Sequence, residues 1–589
     1  MEQQQKEMEL ANGKVNLNYE ICPTYPAQGE IFKGFDTLVT NILGDLPLCL
    51  LDGYIGVDWH TVVSNLEASF KSLGKEVRFV SVDQALLPTS SIETMVQPFL
   101  GGDDPIFGTK TSLSLVDFFD GDRLKSLIYN GSAQQIVVYG CGAALCSSTA
   151  PIVYIDLPKN IIQKRMRAGL VRNLGAQRLQ DNKQTYKRFY FVDWVVLNKH
   201  KKALLPHISI MADQQESDTI SWMYGDALRK TLKQMSQSFF RVRPWFEPGV
   251  WGGQWLKNHL PGLDQEVPNY AWSFEMIVPE NGLVLTDGGN QLEISFDQLM
   301  YQESENVLGR AHRRFGDEFP IRFDFLDTYE GGNLSIQCHP RTAYIRENFG
   351  ESFTQDETYY IVDCEEDAKV YLGFQDNIEP KRFKQALEQS FEKNEALNIE
   401  DYVQKFPAEK HGLYLIPNGT VHASGKNNLV LEISATPYIF TFKMYDWVRP
   451  DLEGNPRPLN IDRAFDNLDF SRKGQAVIDT LISKPVQQVL DEQSSVIHLP
   501  THPEHFYTVD RYEFDDRVNI LTHGQCHVLM LVEGESIELT TANGSKHVFN
   551  FVETFAIPAA AHGYSLRNLG QKKAKVVVAF VKDEACLNQ

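Results

Sequence analysis

Polar side chains interrupt three apolar strand patterns between residues 331 and 422, and this feature constrains the fold more than any other. Gln337 and His339 stand two positions apart in an alternating pattern, so both side chains should leave the same face of a sheet. Glu357 begins a second strand pattern, and His422 follows a proline-glycine turn. Because a buried polar group must find a partner, an apolar core tolerates these side chains only if they satisfy one another. We therefore expect their strands to converge.

Two imidazoles, a carboxylate and an amide oxygen form a borderline-to-hard ligand set without a thiolate. Such a set suits zinc with an open position for water or substrate, which is typical of a catalytic metal. A single strand histidine is more often a satisfied or surface residue than a ligand, so the prediction rests on the ordered combination. We predict one zinc ion per chain, bound by Gln337, His339, Glu357 and His422, and leave iron or manganese open as the metal.

The motifs around these residues resemble those of the cupin-type (type I) phosphomannose isomerases, particularly the short bacterial forms. The resemblance runs from about Trp251 to the C-terminus, more than half of the chain. Its motifs are Trp-Gly-Gly at 251–253, Phe-Pro-Ile at 319–321, Leu-Ser-Ile-Gln-Cys-His-Pro at 334–340, Glu-Thr-Tyr-Tyr-Ile at 357–361, Pro-Asn-Gly-Thr-Val-His-Ala-Ser-Gly at 417–425 and Met-Tyr-Asp-Trp at 444–447. In that family the residues matching the four predicted ligands hold the zinc.

The resemblance implies a zinc-dependent isomerase that interconverts mannose 6-phosphate and fructose 6-phosphate through a cis-enediolate. This reaction moves a proton between two sugar carbons, so the site needs an electrophile for the developing oxyanion and an acid/base group. Glu432 matches a family glutamate proposed for proton transfer. An equally weighted alternative makes Glu432 a carboxylate that orients a ligand imidazole. We assign Glu432 and Lys443 as the catalytic candidates.

Two departures from the family bear on the substrate. Short family members read Tyr-Arg where this chain reads Phe442 and Lys443, which exchanges a planar guanidinium for a point charge. The family also tends to carry a lysine where Asp324 stands. We expect a sugar phosphate to be bound by Arg322, Lys443 and Arg449, or phosphate recognition to be lost. The alternatives are an isomerase of the same type acting on another sugar, and a non-catalytic sugar-binding or regulatory protein.

Composition limits the partners and the compartment. A formal charge of -21 argues against nucleic-acid or anionic-membrane binding, although a local basic pocket can still bind a phosphate. The eight cysteines are scattered and Met1–Gly13 shows no signal pattern, so we expect reduced thiols and a cytoplasmic location. No apolar run approaches the roughly 18 residues of a membrane span. No sequence pattern specifies an oligomeric state.

Residues 1–240 alternate apolar strand runs with helical patterns, which predicts an α/β domain with a parallel sheet. The first strand ends near Asp52, where a nucleoside-kinase-like P-loop protein carries its phosphate cradle. That cradle needs a glycine followed by a lysine, and this chain has Asp58 and Trp59 there. We expect a degenerate P-loop kinase-like domain that serves interaction, regulation or stability. A working kinase is the less favoured alternative.

The predicted fold is therefore multidomain, with two cupin (jelly-roll) barrels after the first domain. Residues 241–450 are expected to form the catalytic cupin domain, with a helical insertion at about 379–405. A helical connecting segment follows at 451–490. Residues 491–589 read as a second cupin-like barrel without metal.

The second barrel contains three histidines that could be considered as ligands. They are His523, His527 and His562. No carboxylate stands at the spacing that a cupin site would use, and the C-terminal barrel of the resembled family has no metal. We therefore expect these residues not to bind an ion.

Overall fold

The structure is a computed structural model that describes residues 17–102, 104, 106–128, 135–216, 218–277, 280–435, 440–451, 454 and 457–587. The segment Met1–Gly13, in which the sequence shows no signal pattern, lies outside these residues. Within the described part of the chain, no helix has both the length and the apolar character needed to cross a membrane. The eight cysteines are free thiols. The chain is multidomain and is built from sheets and helices.

The first unit contains a seven-stranded sheet. Its strands are β2 (Phe32–Lys33), β3 (Leu48–Gly53), β4 (Val77–Ser81), β5 (Gln135–Tyr139), β6 (Ile152–Asp156), β7 (Ile208–Asp213) and β8 (Ser221–Tyr224), after a short β1 (Thr24–Pro26). The order is β2-β8-β7-β6-β3-β5-β4, and strands β3 to β7 pair in parallel. All residues of β6 are buried, as expected for a parallel strand that is covered on both faces.

Helices connect the strands of this sheet. They span Phe35–Asn41, Trp59–Ser72, Thr89–Val96, Gly121–Leu127, Lys159–Arg167, Asn182–Arg188, Trp194–Leu204 and Gly225–Met235. The helix after β3 begins behind Asp58, whose carboxylate accepts a hydrogen bond from the backbone N–H of Thr61 at 3.1 Å. A helix N-terminus attracts anions, and here the protein's own carboxylate caps it. The likeness to P-loop kinases stays a prediction.

A small sheet joins the start of the chain to the middle unit. It consists of β1, β11 (Gly282–Thr286) and β12 (Gln291–Ser295). Strand β1 pairs in parallel with β11, and β11 pairs antiparallel with β12. Backbone hydrogen bonds therefore connect residues before position 240 with residues after it, and so connect the first unit to the middle unit.

The middle unit contains two antiparallel sheets. Its other strands are β9 (Trp245–Glu247), β10 (Trp272–Met276), β13 (Arg322–Asp327), β14 (Ile336–Cys338), β15 (Asp356–Cys364), β16 (Lys369–Phe374), β17 (Val403–Pro407), β18 (Leu413–Ile416), β19 (His422–Ser424), β20 (Asn428–Ala435) and β21 (Phe442–Tyr445). One sheet has the order β18-β15-β20-β13-β10-β9 and the other β17-β16-β19-β14-β21. Two sheets of this kind can enclose a site between them.

Helices of the middle unit lie between its strands and after them. They span Trp255–His259, Asp297–Leu308, His312–Phe315, Thr342–Phe349, Pro380–Lys393, Ile461–Asn467 and Gln475–Thr480. The segment 379–405, expected to be a helical insertion, holds the helix Pro380–Lys393 and then enters β17. A proline at the first position and Asn394 with φ of 55° after the last turn delimit that helix.

The third unit also consists of two antiparallel sheets. Its strands are β22 (Val486–Val489), β23 (Ser494–Leu499), β24 (Tyr507–Phe514), β25 (Arg517–Leu521), β26 (His527–Glu533), β27 (Ser536–Thr541), β28 (Lys546–Asn550), β29 (Thr554–Ile557), β30 (Gly563–Asn568) and β31 (Ala574–Val581). The orders are β22-β23-β24-β31-β26-β29 and β25-β30-β27-β28. Part of its interior forms a separate apolar cluster, and its other core residues belong to one continuous core shared with the first and middle units.

Candidate active site

Three of the four expected metal ligands meet between the two sheets of the middle unit. The Nε2 atoms of His339 and His422 lie 2.7 Å and 3.2 Å from Oε2 of Glu357. The three ligand atoms all lie within 4.8 Å of one another, and the three side chains are buried. Glu357 belongs to one sheet, and the imidazoles come from the other. The triad therefore forms only when the two sheets pack together.

The outer nitrogen of each imidazole faces a backbone carbonyl. Nδ1 of His339 lies 3.0 Å from the carbonyl oxygen of Phe440, and Nδ1 of His422 lies 2.9 Å from that of Thr420. Because a carbonyl can only accept, each Nδ1 carries a proton, which leaves each Nε2, directed at Glu357, as the nitrogen that would bind a metal. Three electron-rich groups that converge in this way fit a divalent cation. The residues form a candidate His–Glu–His metal-binding triad.

The protonation states of the triad suit the same purpose. Burial lowers the pKa of His339, which favours the neutral imidazole. Burial opposes ionisation of Glu357, yet the adjacent His422 and His339 hold the pKa of Glu357 below its usual range. A neutral imidazole and an ionised carboxylate are the forms in which these side chains bind metals.

Gln337, the fourth expected ligand, lies beside the triad. It is the register partner of His422 across strands β14 and β19, and its Nε2 lies 3.4 Å from Nε2 of that histidine. Its Oε1 accepts a hydrogen bond from Ser335 Oγ at 3.1 Å. The amide oxygen thus faces away from the triad, and it would reach a metal only after a half-turn of the amide.

Glu432 lies on strand β20, which pairs with strand β15, the strand that carries Glu357. It is the register partner of both Asp324 and Tyr359. Burial and the carboxyl groups of Asp324 and Glu357 raise the pKa of Glu432 well above its usual range, although Arg322 lowers it. The structure therefore places a carboxyl group with a raised pKa next to the triad.

Arg322 forms a hydrogen-bonded ion pair with Glu432. Its Nη2 donates to Oε1 of Glu432 at 2.7 Å, and its Nε donates to Oγ of Ser434 at 2.6 Å. Asp324 lies 3.6 Å from the same guanidinium, and burial raises the pKa of Asp324 to about 7 against the pull of Arg322. Arg322 thus holds Glu432 in place, and the phosphate-binding role that the sequence suggested for Arg322 stays a prediction.

A cavity of about 420 Å³ lies beside this arrangement, and we refer to it as the site cavity. Gln337 and Glu432 line it, whereas His339, Glu357 and His422 are not among its lining residues. Trp251 and Trp272, whose ring centroids are 4.7 Å apart, supply aromatic surface to its wall. The charged side chains that line it are Lys183, Arg322, Asp324, Glu432, Lys443, Asp451 and Arg457. The volume falls in the range of small-molecule sites, about 300–1,000 Å³.

Lys443 projects into the site cavity from strand β21. It is the register partner of Gln337, so it shares the sheet face that carries the triad. Burial and the cations Arg457 and Arg449 lower the pKa of Lys443 to about 8, although Asp446 raises it. Among the described residues, the ammonium group has no hydrogen-bond or ion-pair partner. It remains available to a ligand.

Arg449 does not line the site cavity. Trp447 and Val448 have φ values of 58° and 57°, an uncommon conformation for such residues, and the chain turns there. Arg449 donates to Oδ1 of Asp446 at 2.5 Å and faces a neighbouring cavity. Arg457, which the sequence did not indicate, pairs with the other oxygen of Asp446 and lines both cavities.

Lys183, Trp272 and Arg457 belong to the lining but stood outside the sequence-based predictions. Trp272 falls in an ordinary strand pattern, and Arg457 follows a loop. Lys183 lies in the first unit, more than 100 residues before any predicted ligand. No local pattern marks these residues, because only the packing of distant segments brings them together.

His523, His527 and His562 of the third unit form no such cluster within the described residues. Within the described residues, the only group of histidine, cysteine, aspartate and glutamate side chains placed to hold a metal is His339, Glu357 and His422. Nδ1 of His527 lies 2.9 Å from the hydroxyl of Tyr564, and burial lowers the pKa of His527 to about 3. His527 is therefore a buried, hydrogen-bonded core residue.

Three comparisons relate the chain to other proteins. A family model described as "Domain of unknown function (DUF8485)" matches residues 34–237. The solved mannose 6-phosphate isomerase from Bacillus subtilis covers 58% of this chain and 99% of its own, with a TM-score of 0.47 and 19% identity. A putative mannosephosphate isomerase from Archaeoglobus fulgidus covers 59% of this chain and 98% of its own, with a TM-score of 0.44 and 17% identity.

Relatives by sequence have higher identity over a shorter part of the chain. Mannose-6-phosphate isomerase ManA of Bacillus subtilis (strain 168) is 25% identical over 227 residues, which are 38% of this chain and 67% of the relative. Mannose-6-phosphate isomerase of Streptococcus mutans serotype c is 27% identical over 229 residues, 38% of this chain and 66% of the relative. The chain spans about two thirds of the length of these curated relatives.

Proposed function

We propose that the protein is a zinc-dependent aldose-ketose isomerase that interconverts mannose 6-phosphate and fructose 6-phosphate. The observation that carries this proposal is the buried triad of His339, Glu357 and His422 next to Glu432, a carboxyl group with a raised pKa that lines a cavity of about 420 Å³. Relatives at 25% and 27% identity, named as mannose-6-phosphate isomerases, support the choice of reaction.

The triad would hold the zinc ion, with Gln337 as a fourth ligand once its amide is turned. Bound there, zinc supplies an electrophile that stabilises negative charge on a sugar oxygen. The chain's own contribution is to keep both Nε2 electron pairs directed at one point. The carbonyl groups of Phe440 and Thr420 fix these tautomers.

Glu432 is the group that we propose moves the proton between the two sugar carbons. Its raised pKa favours the form that holds a proton, and an isomerase needs a group that both accepts and releases one. Arg322 and Gln355 donate to the same Oε1 at 2.7 Å and 3.2 Å, and the carboxyl group of Glu432 is also hydrogen-bonded to that of Glu357. These two donors position Glu432.

Lys443 is proposed to bind the anionic part of the substrate. Its ammonium faces the site cavity without a partner among the described residues, whereas Arg322 and Arg457 are paired with carboxylates. Trp251 and Trp272 cover part of the cavity with apolar surface and so exclude water, which strengthens the electrostatic interactions inside.

A second candidate keeps the chemistry and changes the sugar. It is favoured by Asp324, a buried carboxyl group that lines the cavity where the resembled family tends to carry a lysine. A carboxyl group at this point suits a hydroxyl better than a phosphate. Assays with a panel of phosphorylated and free aldoses distinguish the two candidates.

The experiment that tests the proposal measures turnover and metal content together. Purified full-length protein is assayed with mannose 6-phosphate, with and without a chelator, and its zinc is quantified by mass spectrometry. Glu357→Gln keeps the shape of the side chain but removes the charge that faces two Nε2 atoms. We expect this variant to lose zinc and activity in parallel.

Glu392→Gln is the matched control, because Glu392 is an exposed carboxylate on the helix Pro380–Lys393. It should retain both zinc and turnover. A Glu357→Gln protein that is free of metal but fully active would refute the metal assignment. A wild-type protein that binds zinc and the sugar phosphate without converting it would identify a binding or regulatory protein.

A further inference from the structure

The site cavity is lined by both the first and the middle unit. Ile106, Phe107 and Lys183 of the first unit line it together with residues of the two middle sheets. The position of these residues suggests that the first unit takes part in ligand binding. This inference rests on the proposed function, since it concerns how the sugar phosphate is held.

Phe107 is packed into the middle unit as a core residue. It is 3% exposed, and its ring centroid lies 5.0 Å from that of Phe349 and 5.6 Å from that of Phe440. The carbonyl oxygen of Phe440 faces Nδ1 of the ligand His339. The first unit therefore packs against the residue that orients one arm of the triad.

Polar contacts connect the segment that contains Phe107 both to the middle unit and to a helix of the first unit. The carboxylate of Asp104 accepts hydrogen bonds from the backbone N–H groups of Ile106 and Phe107 at 2.9 Å and 2.8 Å, and it pairs with Arg463 of the middle unit. The carbonyl oxygen of Asp104 accepts from Nζ of Lys187 at 2.6 Å. These contacts hold Ile106 and Phe107 in place at the wall of the cavity. They also hold the helix that carries Lys187.

Lys183 stands four residues before Lys187 on the helix Asn182–Arg188, so the two side chains share one face. Asp181 caps the start of this helix and accepts from the backbone N–H of Lys183 at 3.0 Å. Lys187 donates to the carbonyl oxygen of Asp104, and Lys183 lines the site cavity. In the described chain, the ammonium of Lys183 has no ion-pair or hydrogen-bond partner.

The charges of the cavity indicate what Lys183 would bind. Arg322 pairs with Glu432, and Arg457 pairs with Asp446. Two lysines remain without a carboxylate partner among the described residues, and they come from different units. Two ammonium groups at one cavity suit a doubly charged anion such as a phosphate monoester.

We propose that Lys183 of the first unit binds the phosphate group of the substrate together with Lys443 of the middle unit. The first unit is then a part of the active site, and selection of a phosphorylated sugar depends on it. An interaction of this kind holds the substrate equally before and during the reaction, so it lowers KM and leaves kcat nearly unchanged.

The test uses the full-length, zinc-loaded protein and the variants Lys183→Ala and Lys183→Arg. KM and kcat are measured with mannose 6-phosphate, and Kd is measured by calorimetry for mannose 6-phosphate and for mannose. We expect Lys183→Ala to raise KM and Kd for the phosphorylated sugar about 10-fold, with kcat changed by less than about 2-fold. Lys183→Arg should restore most of the affinity, and the affinity for mannose should not change.

Lys164→Ala is the matched control, because Lys164 is an exposed lysine of the first unit that does not line the site cavity. It should behave as the wild type. Equal KM and Kd for Lys183→Ala and wild type would overturn the role of Lys183 and leave the isomerase proposal standing.

The remaining outcomes separate the two proposals. A wild-type protein that binds mannose 6-phosphate but does not convert it would refute the isomerase proposal, and the ratio of Kd values would still judge Lys183. A protein that neither binds nor converts the sugar phosphate would overturn both. Equal loss of affinity for mannose and its phosphate would show that Lys183 acts on folding, contrary to the proposal.

Discussion

Glu357 and Glu432 are buried carboxyl groups on adjacent strands, and their surroundings drive their pKa values apart. Two imidazoles hold the pKa of Glu357 below its usual range, whereas burial and neighbouring carboxyl groups raise that of Glu432. Opposite shifts of this kind assign different tasks to the same side chain type. Glu357 suits metal binding as a carboxylate, and Glu432 suits proton transfer.

Glu432→Gln tests this division of tasks. The amide can still accept from Arg322 at the position of Oε1, but it cannot exchange a proton with substrate. We expect kcat to fall about 100- to 10,000-fold with an unchanged zinc content, since general acid–base groups contribute this much. Turnover and bound zinc are measured on the same sample.

The alternative for Glu432 is that it only orients a ligand imidazole. In that case zinc content should fall together with activity, and added zinc should restore turnover. Glu392→Gln, at an exposed position, provides the control for loss of a carboxylate. A variant with full zinc and full activity would exclude both tasks.

Lys443 gives the site a dependence on pH. Burial and nearby cations lower its pKa to about 8, so the ammonium that binds an anion is lost as the pH rises through about 8. We expect KM for mannose 6-phosphate to be flat below about pH 7.5 and to rise about 10-fold for each unit well above the pKa. Steady-state kinetics across this range measure the effect.

Lys443→Arg supplies the control, because a guanidinium keeps its charge throughout this range. The rise of KM above about pH 8 should disappear in this variant. Persistence of the same rise would show that another group titrates. The substrate phosphate does not account for it, since its second ionisation lies near pH 6 and increases its charge.

At the scale of elements, the strands that carry the site could be predicted because each contains its own pattern. The alternation around Gln337 and His339, and the register that pairs Gln337 with His422, follow from side chains that leave one face of a sheet. The direction of the Gln337 amide does not follow, because Ser335 determines it through a hydrogen bond.

The end of β21 shows where a sequence pattern stops being informative. Continued as a strand, the chain would carry Lys443 and Arg449 to one face, since they are six residues apart. Trp447 and Val448 instead adopt positive φ, and Arg449 turns to another cavity. Neither residue type favours this conformation, so the turn could not be read from the sequence.

Across the whole molecule, the unit boundaries stay a prediction, and the contacts between units could not be predicted from the sequence. Strand β1 lies far from β11 in sequence, and no pattern in its three residues indicates that it pairs with β11. The same holds for Lys183 and Phe107, whose place at the cavity depends on how the first unit docks. Local patterns specify elements, whereas docking depends on shape and buried charge.

One buried charge cluster lies at the contact between the first and middle units. Nζ of Lys201 lies 2.7 Å from Asp297 and 3.3 Å from Asp156, and Nζ of Lys159 lies 2.8 Å from Asp297. Burial lowers the pKa of a lysine, but the two carboxylates together raise that of Lys201. The ammonium of Lys201 thus compensates two buried negative charges.

Lys202 makes an ion pair across the same contact, with Asp317, but its side chain is 49% exposed. Lys201→Met should lower the free energy of unfolding by about 3–5 kcal/mol, because it removes the cation that faces the buried Asp156 and leaves Asp297 with Lys159 alone. Lys202→Met, the neighbouring control, should cost at most about 1 kcal/mol. Urea denaturation followed by tryptophan fluorescence measures both. Equal effects of the two substitutions would mean that the buried cluster does not hold the first unit against the middle unit, and the docking would then rest on apolar packing alone.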